Sequence, residues 1–319
     1  MSLKSGILNL GATCYLNTTV QCLSHCTKFV DTLFEYDFTR VTDSKMLFHS
    51  LALLLKQLRQ PNIPFVNPSI LLVHTQERFP KFEQNDMVEF LEFILSGIHD
   101  ETKANVTMSV TGKVKNEYDK ITIEALENFK RHFEKEYSFI IQLFYGQTFI
   151  NMLSMDSKPS LSRHLFDPFC ILPLPLPSEG DSHTLEQCLK KLSQPEIIDE
   201  FVVGNDSRQM ASQTNIWSTS SVLILQLKRF INGIKNNSSV VFPLKLQSIA
   251  KGSVSERLYT LVAIGNHIGS SESGHFFADC KGSDGLWRRF DDTNVSVITE
   301  ENFDTRSAYC LFFTATSEE

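Results

Sequence analysis

Residues 6–23 read GILNLGATCYLNTTVQCL and join a glycine turn to a cysteine and an apolar helical pattern. Leu16, Val20 and Leu23 recur at helical spacing, so the sequence predicts a helix over the second half of this stretch. Cys14 would lie in its first turn, where backbone N–H groups lack helical partners and carry a partial positive charge. Such groups stabilise a thiolate and can bind the oxyanion of a tetrahedral intermediate. Cys14 is therefore a candidate nucleophile, although a free cysteine can equally be a small buried apolar residue.

A cysteine nucleophile needs a base and a group that orients the base, and two later segments offer both. His275 begins one predicted strand, and Asp291 with Asp292 ends the next. If the two strands form a hairpin, His275 and Asp291 lie side by side, so that the carboxylate holds one ring nitrogen and the other faces Cys14. Asn9 could supply a side-chain amide to the oxyanion. Each residue alone also has a structural explanation, but their occurrence together favours a catalytic site.

The composition of the chain restricts its class. Among 319 residues, 42% are hydrophobic and 21% are charged, which is typical of a globular protein and excludes disorder or low complexity. The 30 basic and 37 acidic residues give a net charge of −7, which argues against a protein that coats nucleic acid. No apolar run approaches the roughly 18 residues of a membrane span. The sequence therefore predicts neither nucleic-acid nor membrane binding.

The seven cysteines indicate a reducing environment. Their number is odd and the first residues lack the apolar stretch of a signal peptide, so we expect an intracellular protein without disulfides. No CxxC pair occurs, so we expect no zinc site of the paired-CxxC kind. Cys22 and Cys26 lie one helical turn apart with His25 between them. These residues could bind a metal, but no second pair of ligands follows, so burial on one helix face is the favoured interpretation.

The sequence pattern changes near residue 140, from helical periodicity to short runs of aromatic and β-branched residues. Helices are predicted after residue 13, over 44–60, from 68, and over 84–98, 121–137 and 184–192. Strands are predicted over 144–153, 223–231, 259–264 and 275–279, and loops over 205–213 and 233–239. A helical lobe followed by a β lobe predicts an α+β protein with a cleft between the lobes.

Seven segments of the chain resemble the sequence boxes of the ubiquitin-specific proteases. In chain order they are GILNLGATCYLNTTVQCL, QNDMVEFLEFIL, SFIIQLFYGQ, SSVLILQLKRF, HIGSSESGHFFADC, LWRRFDDTNVSVI and SAYCLFF. They cover residues 6 to 313 in the family's order. The resemblance implies a papain-like α+β cysteine protease with a helical thumb, a β palm and fingers. It further implies a single catalytic domain over residues 1–319, with a thumb-like lobe over about 1–140 and the palm and fingers over about 141–319.

The resemblance also implies a role for each matching residue. Cys14 is similar to the family's nucleophile, His275 to its general base and Asp291 to the third member of the triad. Asp292 would be a polar support or an alternate orienter, and Asn9 would contribute to the oxyanion hole. The residues that would bind the C-terminal tail of ubiquitin are Gln84, Asp86, His267, Gly269, Gly274 and Phe276.

The implied function is thiol-dependent hydrolysis of the isopeptide or peptide bond after the C-terminal glycine of ubiquitin, without a cofactor or a catalytic metal. The implied partners are ubiquitin or ubiquitinated proteins, and we expect an intracellular monomer, cytoplasmic, nuclear or both. Three alternatives stay open: a catalytically silent ubiquitin-binding module, a protease for a ubiquitin-like modifier, and a papain-like peptidase unrelated to ubiquitin.

Three departures from the family pattern qualify the resemblance. The family often carries two CxxC pairs that bind zinc in the fingers, but the stretches 148–170 and 200–213 contain none, so we expect zinc-free fingers, short or mobile and held by packing. Phe276 stands where tyrosine is usual, so one hydroxyl contact to the tail would be missing. Asn85 replaces the middle glutamine of the QQD box, which is a mild change. None of these departures removes the triad, so we expect an active enzyme.

Overall fold

The structure is a computed structural model that describes residues 3–36, 46–155, 162–203, 206–252, 257–270 and 273–316. The helices are α1 Cys14–His25, α2 Thr27–Glu35, α3 Met46–Leu58, α4 Ser69–Thr75, α5 Met87–Thr102, α6 Glu117–Phe133, α7 Phe139–Phe144 and α8 Leu185–Leu192. All six predicted helices are confirmed with small shifts of their bounds, except that residues 44 and 45 lie outside the described part. The short helices α2 and α7 were not predicted.

Capping side chains set where several helices begin. Asp86 accepts hydrogen bonds from the backbone N–H groups of Val88 and Glu89, so α5 begins three residues later than predicted. A capping box of Asn116 and Asp119 starts α6 four residues earlier than predicted. A capping box of Thr184 and Gln187 starts α8 within one residue of its predicted beginning. Polar caps therefore decide these boundaries more than the apolar periodicity does.

Strands dominate the chain after residue 145, and the predicted α+β class is confirmed. The strands are β1 Gly6–Ile7, β2 Phe65–Val66, β3 Gly146–Ser154, β4 Ser162–Phe169, β5 Ile171–Pro175, β6 Ser182–Thr184, β7 Glu196–Val203, β8 Asp206–Ser218, β9 Val222–Lys228, β10 Phe230–Ile231, β11 Ile234–Lys235, β12 Ser239–Val241, β13 Lys245–Gln247, β14 Leu258–Gly269, β15 Gly274–Lys281, β16 Trp287–Asp291, β17 Asn294–Ile298 and β18 Ala308–Ala315. In the part of the chain that the structure describes, no helix has both the length and the apolar character that crossing a membrane requires.

The largest sheet carries helix α1 on one face. Its strand order is β17-β16-β15-β14-β18-β9-β5, with β13 added beside β14 and only the β5–β9 pair parallel. All twelve residues of α1 are buried, among them Cys22 and His25. Cys26 is buried as well but follows the helix as its C-cap, so the expected burial of the trio is confirmed and its placement on one helix face is not. Leu16 packs in one apolar cluster with Phe290 of the sheet. Each such fully buried side chain contributes roughly 1.5–3 kcal/mol, so the position of α1 on the sheet is strongly fixed.

A second sheet has the order β4-β3-β8-β7 and is antiparallel throughout. The loop predicted over 205–213 is wrong for the described residues, because 206–213 belong to β8, which pairs on both sides. Residue 205 lies outside the described part. The stretches expected to form short or mobile fingers contribute to these strands, which have 8 to 13 residues, so their described part is not short. Packing holds the sheet to α6, where Ala125, Phe166 and Trp217 form a separate buried cluster.

The predicted loop over 233–239 is only partly correct. Asn232 and Gly233 both have positive φ values, 50° and 78°, and turn β10 into β11 as a tight hairpin. The missed signal is the Asn-Gly dipeptide, which favours such a turn. Lys235 ties the hairpin to the large sheet, because its Nζ donates a hydrogen bond to the carbonyl oxygen of His267 at 2.6 Å.

Arg229, between β9 and β10, is fully buried, and its guanidinium donates hydrogen bonds to four backbone carbonyl oxygens. The acceptors are those of Asn236, Ser238, Thr305 and Ala308, at 2.6–3.1 Å. We expect Arg229→Ala to lower the free energy of unfolding by about 3–5 kcal/mol, because it leaves a cavity and buried acceptors without donors. Chemical denaturation measures the loss.

Arg306 provides the matched control, because it is exposed and donates to one carbonyl oxygen, that of Asn237. Arg306→Ala should change the free energy of unfolding by no more than about 0.5 kcal/mol. Equal losses in the two variants would contradict the structural role assigned to Arg229.

Candidate active site

Cys14 is the first residue of α1 and is 2% exposed. The loop before it turns at Gly11, where φ is +152° and a Cβ would lie 2.5 Å from the carbonyl oxygen of Lys81. The N–H group of Ala12 donates to that same oxygen at 2.6 Å. Only glycine fits this close approach, so the loop delivers the cysteine to the helix N-terminus in a fixed position. The predicted placement of Cys14 in the first turn is confirmed.

His275 lies near the start of β15, and its Nε2 atom is 2.6 Å from Oδ1 of Asp291. The predicted hairpin of β15 and β16 is confirmed, and the last pair in its register is Ala278 with Phe290. His275 and Asp291 therefore meet diagonally across the hairpin rather than directly opposite each other. Hydrogen bonding to Cys14 raises the pKa of His275 to about 9; partial burial opposes this rise, and the hydrogen bond to Asp291 adds a smaller increase. Because Asp291 occupies Nε2, Nδ1 is the ring nitrogen left for the cysteine.

Asp292 has different partners from its neighbour. Its Oδ2 accepts a hydrogen bond from Nδ2 of Asn9 at 2.9 Å, and its Oδ1 accepts one from Nδ2 of Asn17 at 2.7 Å. Within the described ranges, His275, Asp291 and Asp292 place three potential metal ligands within 4.8 Å of one another. Each of these groups already has a hydrogen-bond partner, so the cluster is explained by the side-chain network itself.

The side chain of Asn9 is held at both ends. Its Oδ1 accepts from the N–H groups of Gly11 and Thr13 and from the Thr13 hydroxyl, at 3.1–3.2 Å. Its Nδ2 donates to Asp292. An amide nitrogen carries two hydrogens, so one remains for a substrate oxygen. Asn9, Cys14 and His275 are thus brought into one site, as the sequence predicts.

A groove of about 460 Å³ lies beside His275. Its lining residues are Gln84, Asn85, Asp86, Val88, Glu89, Glu92, Gln226, Phe230, His267, Ser270, Gly274, Phe276 and Tyr309. Five of the six residues predicted to bind the tail are among them. Gly269 is not, and it forms the adjoining turn instead, with a φ of +97° and no room for a Cβ against Ser273.

His267 lines this groove as a buried, uncharged ring. It is 4% exposed, and its ring centroid lies 4.6 Å from that of Phe276. Burial, reinforced by the positive charges of Lys235 and His275, lowers the pKa of His267 to about 4, so the ring is neutral at physiological pH. A Cβ on Gly274 would collide with Nε2 of His267, so glycine is required where this ring meets the catalytic strand.

The carboxylates along one side of the groove were only partly anticipated. Asp86 is predicted and present, but one of its oxygens caps α5 and the other accepts from the Tyr309 hydroxyl at 2.8 Å. Glu89 and Glu92 follow at intervals of three residues on the same helix and were missed. Burial, and then repulsion from Glu89 and Asp86, raises the pKa of Glu92. The 86-89-92 spacing, which places all three on one helix face, could have identified them.

Comparison with known proteins identifies the family. The sequence model described as "Ubiquitin carboxyl-terminal hydrolase" matches residues 5–313, nearly the whole chain. The chain belongs to the ubiquitin carboxyl-terminal hydrolase family. Ubiquitin carboxyl-terminal hydrolase 2 of Bos taurus is 28% identical over 333 residues, which cover 97% of this chain and 54% of that protein. Ubiquitin carboxyl-terminal hydrolase Usp2 of Drosophila melanogaster is 30% identical, covering 98% of this chain and 35% of that protein. The chain thus spans about half the length, or less, of these curated family members.

Solved structures share the fold of this chain. The SAGA Ubp8/Sgf11/Sus1/Sgf73 DUB module bound to ubiquitin aldehyde contains a chain with a TM-score of 0.75 and 24% identity, covering 99% of this chain and 70% of that one. The Ubp8-Sgf11-Sgf73-Sus1 SAGA DUB module gives a TM-score of 0.72 at 26% identity, covering 98% and 68%. The predicted ubiquitin-specific protease fold is confirmed.

Proposed function

We propose that this chain is a thiol-dependent deubiquitinase that hydrolyses the isopeptide or peptide bond after the C-terminal glycine of ubiquitin. The observation that carries the proposal is the position of His275, which bonds Asp291 on one side, faces Cys14 on the other and adjoins a narrow groove. The family assignment supports the same reaction, and a family structure is bound to ubiquitin aldehyde.

In the proposed mechanism, the Cys14 thiolate attacks the carbonyl carbon of the terminal glycine, with His275 as the imidazolium partner. The second amide hydrogen of Asn9 and backbone N–H groups at the start of α1 stabilise the oxyanion. The C–N bond breaks as His275 gives its proton to the leaving amine, and a thioester to Cys14 remains. Water then donates one proton to His275 and attacks the thioester carbon, and the C–S bond breaks with the Cys14 thiolate as leaving group. The acid product loses its remaining proton to solvent as the carboxylate, and the thiolate–imidazolium pair is restored. No cofactor or metal takes part.

The groove supports ubiquitin as the substrate. The tail of ubiquitin ends Leu-Arg-Leu-Arg-Gly-Gly, and we propose that Asp86, Glu89 and Glu92 attract its two arginines. Gly274 and His267 line the groove, and we propose that they contact the Gly-Gly end. Gln84 and Phe276 line the same groove, with Phe276 in place of the usual tyrosine. Gly269 would act by shaping the adjoining turn.

Hydrolysis of a fluorogenic ubiquitin substrate by the wild-type chain tests the proposal, alongside labelling by a ubiquitin probe with a C-terminal electrophile. Turnover and labelling support it. Binding of ubiquitin without either would indicate a silent binding module. Reaction with a probe made from a ubiquitin-like modifier, but not with the ubiquitin probe, would indicate that the substrate is that modifier rather than ubiquitin. Cleavage of short peptides without a folded substrate would indicate a general papain-like peptidase.

Three further proposals accompany this function. The thumb-like lobe over about 1–140 and the palm and fingers over about 141–319 form one catalytic domain. The chain acts inside the cell, cytoplasmic, nuclear or both, and its seven free cysteines support a reducing location. The chain is a monomer, although a structural relative, the Ubp8-Sgf11-Sgf73-Sus1 SAGA DUB module, combines four named proteins. Light scattering of the purified chain measures its oligomeric state.

Asn9→Ala should slow turnover and spare ubiquitin binding. Removing one oxyanion donor costs roughly 100- to 1000-fold in kcat, because the contact forms only as the carbonyl oxygen gains charge. Steady-state kinetics give kcat, and calorimetry with free ubiquitin gives the affinity. An unchanged kcat would remove Asn9 from the oxyanion site, and a fall in affinity alone would assign it to substrate binding.

A further inference from the structure

We propose that Asn17 is a positioning residue for this reaction. Asn17 holds the Asp292 carboxylate, and Asp292 in turn directs the side-chain amide of Asn9 toward the oxyanion. This inference rests on the proposed function and extends it to a residue that touches neither substrate nor reacting atoms.

The contacts form an unbroken line from helix α1 to the oxyanion site. Asn17 lies one helical turn after Cys14 and is 3% exposed. Its Nδ2 donates to Oδ1 of Asp292 at 2.7 Å and to the carbonyl oxygen of Ile7 at 3.3 Å. The second oxygen of Asp292 accepts from Asn9 at 2.9 Å. One carboxylate therefore links two amides, one from the nucleophile's helix and one beside the nucleophile.

The backbone of Asp292 is fixed independently of its side chain. The residue has a φ of +52° in the turn after β16, and its carbonyl oxygen accepts from the N–H of Ile7 at 2.8 Å. A Cβ on Gly6 would lie 2.5 Å from that carbonyl oxygen, so β1 lies directly against the turn. Because the backbone of Asp292 is held, its side chain can move only by rotation of the carboxylate. The hydrogen bond from Asn17 prevents that rotation.

Because an amide group is planar, holding the Asp292 carboxylate in place also fixes the direction of the N–H group with which Asn9 would bind the oxyanion. Three donors fix Oδ1 of Asn9, and Asp292 fixes one hydrogen of Nδ2. Because the amide group is planar, the direction of the second hydrogen is then set. Without Asn17, Asp292 could rotate, and the amide of Asn9 would lose the anchor that aims this hydrogen.

Asn17→Ala should lower kcat about tenfold, less than Asn9→Ala, and leave KM nearly unchanged, because the oxyanion donor is misaligned rather than removed. The control is Thr19→Val, two residues along α1. Thr19 is also fully buried, and its hydroxyl bonds the carbonyl oxygens of Tyr15 and Met87, not Asp292. The control should lose stability without a matching loss of kcat.

A double-mutant cycle separates positioning from general damage. In the Asn9→Ala background, Asn17→Ala should change kcat by less than about twofold, since the group it positions is gone. A full tenfold loss in that background, or an equal loss of kcat in Thr19→Val, would overturn the proposal. If Asn17→Ala does not fold, Asn17→Ser enters the same cycle, because it leaves a smaller cavity and still lacks the amide donor.

A measurement that needs no activity distinguishes failure of this inference from failure of the proposed function. The side-chain amide resonances of Asn9 are followed by NMR in the wild type and the variants. Asn17→Ala should shift them and speed their exchange with water, while Thr19→Val should not. Unchanged resonances in Asn17→Ala overturn the inference, whether or not the wild type hydrolyses ubiquitin. An inactive wild type with the expected shifts overturns only the proposed function.

Discussion

Cys14→Ala is expected to abolish hydrolysis of ubiquitin conjugates, with a loss of roughly a millionfold in kcat. The thiolate is the only group that the mechanism can place on the glycine carbonyl, and neither Asn9 nor His275 can replace it once the sulfur is gone. Hydrolysis of a fluorogenic ubiquitin substrate measures the loss, and labelling by the electrophilic ubiquitin probe should disappear with it. Binding of free ubiquitin should persist, because Cys14 does not line the groove.

The other six thiols are poor substitutes for Cys14 for a physical reason. Burial raises the pKa of each of them, so they stay protonated at neutral pH; they are Cys22, Cys26, Cys170, Cys188, Cys280 and Cys310. Cys170 is the most exposed of the six and is therefore the control. Cys170→Ala should keep both turnover and labelling. Labelling that survives Cys14→Ala would show that another cysteine is the nucleophile.

The chemical core of the site could be predicted because its parts are local. Cys14 belongs to one turn at a helix start, and His275 and Asp291 belong to neighbouring strands that only a hairpin can join. The resemblance assigned Asp291 to the triad but left Asp292 open as a polar support or an alternate orienter, because both carboxylates are adjacent in sequence. Only the approach of α1 shows that Asp292 meets Asn9 and Asn17 instead of the imidazole.

The errors in the fold have a common cause. Strand β8 has a polar sequence and gives no apolar alternation strong enough to predict it, yet pairing on both sides satisfies its backbone. Its buried residues are Met210 and the consecutive Asn215, Ile216 and Trp217, a pattern that does not alternate along a strand of 13 residues. Glu89 and Glu92 were missed for a related reason: their spacing from Asp86 indicates a shared polar face, but only the structure shows that this face lines a groove.

Asp291→Asn is expected to lower kcat/KM by about 100- to 10,000-fold and to move the alkaline limit of activity to lower pH. In the wild type, the active thiolate–imidazolium pair is lost as pH rises through the pKa of His275, about 9. Hydrogen bonding to Cys14 is the larger cause of that raised pKa, and bonding to Asp291 adds to it. Removing the charge of Asp291 therefore lowers the pKa of His275 only part of the way toward its ordinary value.

Asp292→Asn is the matched comparison, because it removes the same charge one residue later. Asp292 bonds Asn9 and Asn17 rather than the imidazole, so this variant should lower kcat through the oxyanion donor and leave the alkaline limit near pH 9. Profiles of kcat/KM against pH for the three proteins measure both effects. If Asp292→Asn moved the alkaline limit and Asp291→Asn did not, Asp292 would orient His275 and the two carboxylates would exchange roles. The position of the alkaline limit thus assigns each carboxylate to its partner, which a loss of rate alone does not.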